Sequence, residues 1–384
     1  MFLGTNIAYI RFSKISNYLM RYIFTILLFV FKISVNAQSF YAFKDTANFL
    51  YTYDGNQIKK MEDRAIKTYK FGTQFVAFVT QMDELKVSFG SSSRVLYNNM
   101  PTDYQIKRGL MIYTFNNNLY KYDGKKNDLL CINPQKYILQ DSLIYFQDRI
   151  GAPRVYCDGV TYNLDQLAER DSKIGTNIIA YNSYAGQFKV FMNGKLKRLE
   201  NYTVDNYSVA TNLVVYTDRN GQFKIVYKRR SITAELIAPL SYQIINDMVI
   251  YEINGITKVF KDGNISQIEP YAIDDFKLFQ NSFLASYYSR NNEYKVITEK
   301  GNTIELTRNN PTNVSSFDNV LCYKDVYGHL IKYENQDTKD ISKEVVSNFE
   351  VFANLVVYST GNNEIVFVNN DGKIFRKRLN WQKF

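Results

Sequence analysis

The sequence predicts an all-β protein, a β-propeller of about ten units of roughly 35 residues, each a blade of three to four antiparallel strands. Three observations predict it. A short apolar block closed by an aromatic residue recurs at a nearly fixed spacing, and Gly-containing hairpin turns recur in step with it. Sustained helical periodicity is not found outside the N-terminus. A fixed period of this size is the signature of a repeat architecture.

The closing aromatic residue marks each unit. The ten markers are Phe43, Phe78, Tyr113, Tyr145, Tyr181, Tyr216, Tyr251, Ser286 (with Tyr287 beside it), Tyr323 and Tyr358. Neighbouring markers are 32 to 37 residues apart, and most are 35 apart. The units begin near Ser39 and follow one another without a gap, so we expect residues 38–384 to form a single propeller domain.

Each unit has the same internal plan. An apolar strand comes first, as in Asn212–Tyr216, and a polar loop leads to an alternating second strand such as Phe223–Tyr227. A tight turn and a third strand follow. The turns contain Asp-Gly or Asn-Gly pairs, which tolerate the positive φ angles of two-residue hairpins. A fourth extended piece, such as Tyr207–Ala210, leads into the next unit.

Repeated antiparallel units of this kind form either a closed ring or an open β-solenoid. Ten units exceed the usual four to eight blades of a propeller. A single ring of ten is the first interpretation, and two five-bladed rings are the second.

The two ends of the repeat favour closure of a ring. The first unit opens directly on its apolar strand, Phe40–Phe43, and Leu379–Phe384 extend beyond the third strand of the last unit. We expect this C-terminal segment to complete the first blade and to cover an edge that invites aggregation. Deleting Asn380–Phe384 is therefore expected to lower the melting temperature markedly, and an unchanged melting temperature would contradict this hypothesis.

The block Asn212–Tyr227 (NLVVYTDRNGQFKIVY) resembles the repeat of the TolB-like, WD-related propeller family. In that family an apolar strand precedes a Ser/Thr-Asp-Arg-x-Gly loop and an Ile-Tyr strand. The usual Ser-Pro-Asp-Gly turn is missing here, and so is the separate α/β domain of the Tol protein itself. The resemblance therefore implies the blade and a bacterial envelope setting, but not membership of the Tol system.

Residues 1–37 are predicted to be a leader with a signal peptide. A basic segment at Met20–Tyr22 precedes nine apolar residues, Ile23–Phe31, and Val35–Ala37 supply the small residues of a cleavage site before Gln38. Nine apolar residues are too few to span a bilayer, which takes about 20. Met1–Leu19 fit no leader pattern, so Met20 is an alternative start of translation. We expect an exported protein, periplasmic or extracellular.

Cysteine content and charge exclude several classes of protein. Cys131, Cys157 and Cys322 are odd in number and lack a metal-knuckle spacing, so we interpret them as buried apolar residues. A Cys131–Cys157 bond is left as an alternative. Removing the leader lowers the formal net charge from +10 to +6, because residues 1–37 contain four basic residues and no acidic residue. This mild charge lacks the concentrated basic stripe typical of nucleic-acid binding.

A search for catalytic chemistry finds no motif. His329 is the only histidine, which excludes histidine-cluster metal sites, and we interpret it as a residue at the edge of a turn. Carboxylates for glycan hydrolysis would have to come from Asp83 and Glu84, Asp274 and Asp275, or Asp148. Asp218–Gly221 superficially resembles a calcium loop but lacks the alternating ligands and the distal Glu. We predict no cofactor and no metal.

Loops are the best candidates for a binding surface, because a rigid scaffold presents function on its loops. The loops between the first and second strands of a unit stand out. Gln147–Pro153 is taken as the longest of them, and it contributes Asp148 and Arg149. Two further loops add Asp218, Arg219 and Arg290. The abundant Tyr and Phe recur at strand positions, so we assign most of them to the core rather than to sugar stacking.

These observations lead to one expectation and one alternative. We expect an exported, non-enzymatic propeller that binds or organises another protein in a bacterial periplasm or cell envelope. The alternative is a propeller enzyme or lectin-like module acting on glycans. An acid pair in a deep pocket would favour the enzyme, and a loop-rich rim without buried acids would favour binding.

Overall fold

The structure is a computed structural model that describes residues 40–45, 47–89, 92–166, 171–273, 275–361 and 364–378. The predicted leader lies outside these residues. So does the C-terminal segment Leu379–Phe384 that we expect to complete the first blade.

The described chain folds into ten antiparallel sheets, which we number blades 1 to 10 in chain order. Blade 1 contains β1 (Tyr41–Lys44), β2 (Leu50–Tyr53) and β3 (Ile58–Lys60). Blades 2 to 4 contain β4 (Ile66–Phe71), β5 (Val76–Thr80), β6 (Leu85–Phe89), β7 (Ser92–Tyr97), β8 (Asp103–Lys107), β9 (Leu110–Phe115), β10 (Asn118–Tyr122), β11 (Asn127–Ile132), β12 (Lys136–Leu139), β13 (Leu143–Gln147), β14 (Pro153–Cys157) and β15 (Val160–Asn163).

The remaining six blades continue the same order, with four strands each. Blades 5 to 7 contain β16 (Asp171–Ile174), β17 (Ile178–Asn182), β18 (Phe188–Met192), β19 (Lys195–Glu200), β20 (Tyr207–Val209), β21 (Leu213–Thr217), β22 (Phe223–Tyr227), β23 (Arg230–Glu235), β24 (Ser241–Ile245), β25 (Met248–Ile253), β26 (Ile256–Lys261) and β27 (Asn264–Glu269). Blades 8 to 10 contain β28 (Phe276–Leu278), β29 (Ala285–Tyr288), β30 (Tyr294–Ile297), β31 (Thr303–Thr307), β32 (Val314–Phe317), β33 (Val320–Lys324), β34 (Leu330–Glu334), β35 (Asp337–Ser342), β36 (Val346–Phe352), β37 (Leu355–Thr360), β38 (Glu364–Asn369) and β39 (Ile374–Arg378).

The blades begin one strand earlier in the chain than the predicted units do. The extended piece predicted to end a unit, Tyr207–Ala210, supplies β20, which pairs with the following apolar strand β21. The physical reason is the tight turn between them, in which the Ala210 amide donates to the Leu213 carbonyl at 3.0 Å. The apolar strand is therefore the second strand of its blade. Blade 1 is the exception, because its described part begins on the apolar strand β1, as the sequence predicts.

Ten hydrophobic clusters hold the blades together, one at each junction between neighbours. Alternate side chains of each apolar strand face opposite neighbours. Val214 and Tyr216 pack towards blade 5, and Leu213 and Val215 pack towards blade 7. Twelve tyrosines are among the largest fully buried side chains, which confirms that aromatic residues build the core.

The tenth cluster closes the ring between blade 10 and blade 1. Phe367 of β38 stacks on Tyr53 of β2 with ring centroids 4.4 Å apart, and it lies 5.9 Å from Phe43. The Tyr41 hydroxyl donates to Oε2 of Glu350 at 2.8 Å. Ten blades with ten junctions form one ring, so the interpretation as a single ten-bladed ring is confirmed over the solenoid and the two five-bladed rings.

The turns between first and second strands are tied together by bonds that reach about one repeat along the chain. The Asn177 amide donates to the Thr211 carbonyl, and the Thr211 amide donates to the Asn246 carbonyl, both at 2.9 Å. The Asn212 side chain donates to Asp247 at 3.0 Å. We call this set the turn belt. It joins the turns of blades 5, 6 and 7, so the geometry of one of these blades constrains its neighbour.

Candidate functional site

The meander gives the domain two faces with different connections. One face, the loop face, carries the loops between second and third strands and the crossovers that lead from each fourth strand to the next blade. The other, the turn face, carries the turn belt and the turns between third and fourth strands. All five predicted binding residues, Asp148, Arg149, Asp218, Arg219 and Arg290, lie on the loop face.

Asp148 and Asp218 close their own loops from within. Oδ1 of Asp148 accepts hydrogen bonds from the amides of Ile150 and Ala152 at 3.1 and 3.0 Å. Oδ1 of Asp218 accepts equivalent bonds from Asn220 and Gln222 at 2.9 Å. Burial raises the pKa of Asp148, but these amides and Arg154 outweigh burial and hold that pKa below its usual value. The two aspartates are therefore parts of the loop scaffold.

The loop containing Asp148 is not longer than the others, so that prediction is wrong. Gln147 and Pro153 pair with each other at the ends of β13 and β14, which leaves five residues in the loop. The loop Asp218–Gln222 has the same length. Pro153 is tolerated because it occupies the first position of its strand, where its missing N–H leaves the sheet intact.

Arg219 and Arg290 cover crossovers in equivalent ways. The guanidinium of Arg219 lies 3.9 Å from the ring centre of Tyr202, and that of Arg290 lies 4.8 Å from Tyr271. In both loops the arginine amide also donates to the tyrosine hydroxyl. Both arginines are exposed and occupy the same position in five-residue loops. For Arg149, the structure shows its carbonyl accepting from Gln135 at 3.0 Å.

A contact between a buried tyrosine and a glutamate recurs between blades, and it was not predicted from the sequence. The last residue of an outer strand, Glu200, Glu235 or Glu269, accepts a 2.8 Å hydrogen bond from a tyrosine on the second strand of the next blade. The tyrosines are Tyr216, Tyr251 and Tyr287. In two of the three contacts a lysine completes the group, with Lys258 2.8 Å from Glu235 and Lys295 2.9 Å from Glu269.

Replacing Glu269 with alanine is expected to lower the free energy of unfolding by about 3 kcal/mol, because Tyr287 and Lys295 lose a partner in a buried setting. Urea denaturation measures this difference. Glu305→Ala is the matched control, since its ion pair with Arg308 is exposed and contributes less than about 1 kcal/mol. Equal effects of the two substitutions would contradict a special role for the buried contact.

Three of the candidate catalytic acids are paired with cations. Asp83 pairs with Lys67 at 2.6 Å, and Glu84 pairs with Lys86 at 3.4 Å. Asp148 pairs with Arg154 at 2.9 Å. Asp275 is exposed, and Asp274 lies outside the described residues. Within the described ranges, no group of three or more His, Cys, Asp or Glu side chains is arranged to hold a metal ion.

The single histidine and the cysteines have structural surroundings. Nδ1 of His329 lies 3.3 Å from Oδ2 of Asp325 in a five-residue loop, which confirms its position at the edge of a turn. Cys131, Cys157 and Cys322 are buried free thiols, as interpreted from the sequence. Cys131 packs between blades 3 and 4, whereas Cys157 packs between blades 4 and 5. The alternative of a bond between them is therefore not realised.

Shallow depressions lie on both faces. On the loop face, one of about 180 Å³ is lined by Tyr271, Tyr288, Arg290, Asp275 and Asn310, among others. On the turn face, a depression of about 320 Å³ lies where the turns of blades 4 to 8 converge, with polar lining from Thr176, Thr211, Asn246 and Gln280.

Charged side chains also meet on the turn face. Nε of Arg108 lies 2.8 Å from Asp141. Burial raises the pKa of Asp318, the positive charge of Arg108 opposes this rise, and the charge of Asp141 adds to it. In this cluster Asp318 is the carboxylate with a raised pKa, and Asp141 is paired with the guanidinium of Arg108.

Exposed apolar side chains are concentrated on the loop face. Among the described residues, every large apolar side chain that is 60% or more exposed lies in a loop or crossover of that face or at a strand end beside it: Met82, Ile132, Ile150, Tyr184, Leu236, Leu240, Val326, Tyr327 and Val345. The exposed apolar residues of the outer strands, such as Val160 and Leu196, are 48% and 44% exposed. This one-sided distribution makes the loop face the candidate interaction surface.

A closed ring of ten antiparallel meanders defines a β-propeller. Residues 34–375 match the model of a family described as a 10-bladed beta propeller domain. The chain belongs to this family. A comparison with curated proteins finds no match. Among the described residues, no helix is long and apolar enough to cross a membrane.

Several solved structures resemble the chain at low identity. The computationally designed Ika8 protein is 15% identical, with a TM-score of 0.30 over 83% of this chain and 98% of its own. The tricorn protease is 12% identical, with a TM-score of 0.29 over 89% of this chain and 45% of its own. PorZ, a surface component of the type-IX secretion system of Porphyromonas gingivalis, is 9% identical, with a TM-score of 0.27 over 88% of this chain and 59% of its own. Scores of this size carry no inference about function.

Proposed function

We propose that this ten-bladed propeller is an exported, non-enzymatic module that binds or organises another protein in a bacterial periplasm or cell envelope. The observation that carries the proposal is the concentration of exposed apolar side chains on the loop face. Exposed apolar residues that share one face of a protein are candidates for contact with a partner. A rigid ring holds the loops in fixed positions, which suits recognition of a protein surface.

The partners of the candidate acids support a binding role rather than catalysis. The carboxylates of Asp148 and Asp218 accept hydrogen bonds from backbone amides, and those of Asp83 and Glu84 form ion pairs with lysines. These acids are therefore poorly placed for proton transfer.

The leader pattern in residues 1–37 supports export, and the resemblance of Asn212–Tyr227 to TolB-like repeats supports a bacterial envelope setting. We extend the proposal to a TolB-like ancestry of the blades.

The test is a pull-down from the native envelope fraction with tagged residues 38–384 as bait. We expect a stoichiometric protein partner. A variant with serine at Met82, Ile150, Tyr184 and Tyr327 should recover at least tenfold less of it, the change expected when about 1.4 kcal/mol or more of binding free energy is lost. The matched control carries serine at Val95, Val160, Leu196 and Ile265, which are exposed on outer strands. Failure to recover a partner, or equal losses from both variants, would contradict the proposal.

A glycan is the second candidate ligand, and one depression favours it. Tyr271 and Tyr288 provide rings, and Asp275, Arg290 and Asn310 provide hydrogen-bonding groups around about 180 Å³ of space. Aromatic faces with a few polar groups are suited to a small polar ligand. A glycan array probed with the wild type and with Tyr288→Ala tests it. Signals on the array that Tyr288→Ala removes would favour the glycan, and a blank array would exclude it.

A further inference from the structure

The crossover between blades 6 and 7 exposes an apolar segment. Leu236, Ile237 and Leu240 follow one another between β23 and β24 and are 75%, 55% and 83% exposed. Ala238 between them is exposed as well, and Pro239 is half-buried. Leu240 is the most exposed of the large apolar residues in the described chain.

The fold does not require these three side chains, because another crossover of the same length has polar residues at the three corresponding positions, although it exposes Met100 between them. The crossover between blades 2 and 3 spans the same number of residues and places Pro101 where Pro239 stands. Its Thr102 amide donates to the Thr114 carbonyl at 2.9 Å, and the Leu240 amide donates to the Glu252 carbonyl at 3.0 Å. At the positions of Leu236, Ile237 and Leu240 it carries Asn98, Asn99 and Thr102, all of them exposed.

The two neighbouring crossovers are each covered by a five-residue loop, and in the described part of the chain Leu236–Leu240 has no such cover. Between blades 5 and 6, Val204 is buried in the core, and Arg219 of a five-residue loop covers Tyr202. Between blades 7 and 8, Arg290 covers Tyr271 in the same way. Blade 7 instead has a two-residue turn, Asn254–Gly255, and a Cβ added at Gly255 would meet nothing within 4 Å. A short turn therefore leaves the segment open to solvent.

We propose that Leu236–Leu240 is a docking surface for a short aliphatic segment of a partner protein. This inference rests on the proposed binding role of the loop face and adds one specific contact to it. We take the rim to be the neighbouring segments of the loop face, which expose charges of both signs: Asp205 and Arg219 on the side of blade 6, and Asp275 and Arg290 on the side of blade 8. An apolar centre inside a polar rim of mixed sign is the anatomy of a protein–protein interface, and a uniformly basic rim would have suited a membrane surface better.

The size and charge of the surface disfavour a second copy of this chain as the occupant. Three side chains expose far less than the roughly 800 Å² per partner that stable dimers bury. Two copies would also bring like formal charges together, since the protein without residues 1–37 carries a formal net charge of +6. A short segment that inserts one or two aliphatic side chains fits both constraints.

The experiment selects short random peptides displayed on phage against residues 38–384, and then measures binding of the enriched synthetic peptide by fluorescence polarisation. We expect enriched peptides to share aliphatic residues. A variant with Leu236→Asn, Ile237→Asn and Leu240→Thr should bind at least about tenfold more weakly. This variant carries the residues of the equivalent crossover, so it should keep the circular dichroism and melting temperature of the wild type. Leu196→Ser is the control, because Leu196 is 44% exposed on an outer strand away from the loop face.

Each other outcome overturns the inference. Peptides without shared aliphatic residues, no enrichment, or binding unchanged in the triple variant would exclude an aliphatic segment at this site. Dimers in sedimentation that the triple variant abolishes would identify a second copy as the occupant. Binding to vesicles of phosphatidylglycerol and phosphatidylethanolamine that the triple variant abolishes would identify a lipid surface as the occupant. A native partner that is lost with the substitutions at Met82, Ile150, Tyr184 and Tyr327 but kept by the triple variant would leave the proposed function standing without this surface.

Discussion

Raising the pH from 9 to 12 is expected to unfold this protein, and the buried tyrosines are the reason. Burial raises the pKa of Tyr104, Tyr113, Tyr294 and Tyr323 to about 12, whereas an unfolded tyrosine ionises near pH 10. Each pKa is higher in the folded state, so the stability it contributes is complete below pH 10. It is lost as the pH rises through 12.

The size of the effect follows from the number of such groups. Each of the four tyrosines costs roughly 2 kcal/mol of stability by pH 12, and their sum approaches the whole stability of a typical domain. Tyrosinate absorbance and near-ultraviolet circular dichroism, recorded together, check this. We expect most of the absorbance change to coincide with unfolding.

Tyr294→Phe provides the control for this pH dependence. The hydroxyl of Tyr294 lies 2.7 Å from that of Ser286, so losing it should cost about 1 kcal/mol at neutral pH. The same substitution removes one titrating group, so the loss of stability between pH 10 and 12 should be smaller than in the wild type. Full ionisation of the tyrosines near pH 10 in a folded protein would show that burial does not control their pKa values.

Gly175→Ala is expected to destabilise the domain by about 3 kcal/mol or more. A Cβ at this position would lie 1.8 Å from the carbonyl oxygen of Ala210, which belongs to the neighbouring turn of the belt. Backbone at both sides of the contact cannot move aside as a flexible side chain would, so either the turn or the junction between blades 5 and 6 must shift. Thermal unfolding at neutral pH measures the loss.

Gly361→Ala is the matched control for this substitution. A Cβ at Gly361 would meet nothing within 4 Å, and its φ lies outside the left-handed region. Alanine there should leave stability within about 0.5 kcal/mol of the wild type or raise it slightly. If Gly175→Ala behaved like Gly361→Ala, close approach of neighbouring turns would not contribute to stability.

The architecture was accessible from the sequence because its signals are local and repeated. The apolar strands with their closing aromatics predicted the core, and pairs such as Asp158-Gly159 and Asn193-Gly194 predicted two-residue turns that have positive φ at both positions. The strand at which each blade begins could not be predicted in the same way. Tyr207–Val209 would be extended as the last strand of one blade or as the first strand of the next, and only its hydrogen bonds to β21 assign it to the next blade.

The candidate site was predicted by position but not by role. Arg219 and Arg290 lie on the face that the loop argument indicated, yet their aromatic partners, Tyr202 and Tyr271, come from the preceding crossovers and could not be paired from spacing alone. Asp148 and Asp218 were chosen for their charge, which the loop amides satisfy. The tyrosine–glutamate contact could have been predicted, because a glutamate such as Glu235 ends an outer strand and the marker tyrosine of the next unit, Tyr251, follows it at a regular distance.

The contact between blade 10 and blade 1 changes how cooperatively the repeat unfolds. In an open array each terminal repeat has one neighbour and frays first. Here blade 1 contacts blade 2 through Ala42 and Leu50, and it contacts blade 10 through Phe43 and Tyr53. A nearest-neighbour chain joined end to end has no terminal member, so detaching any one blade breaks two junctions. We infer that the ring melts as one cooperative unit and that a defect in one junction weakens the whole circle.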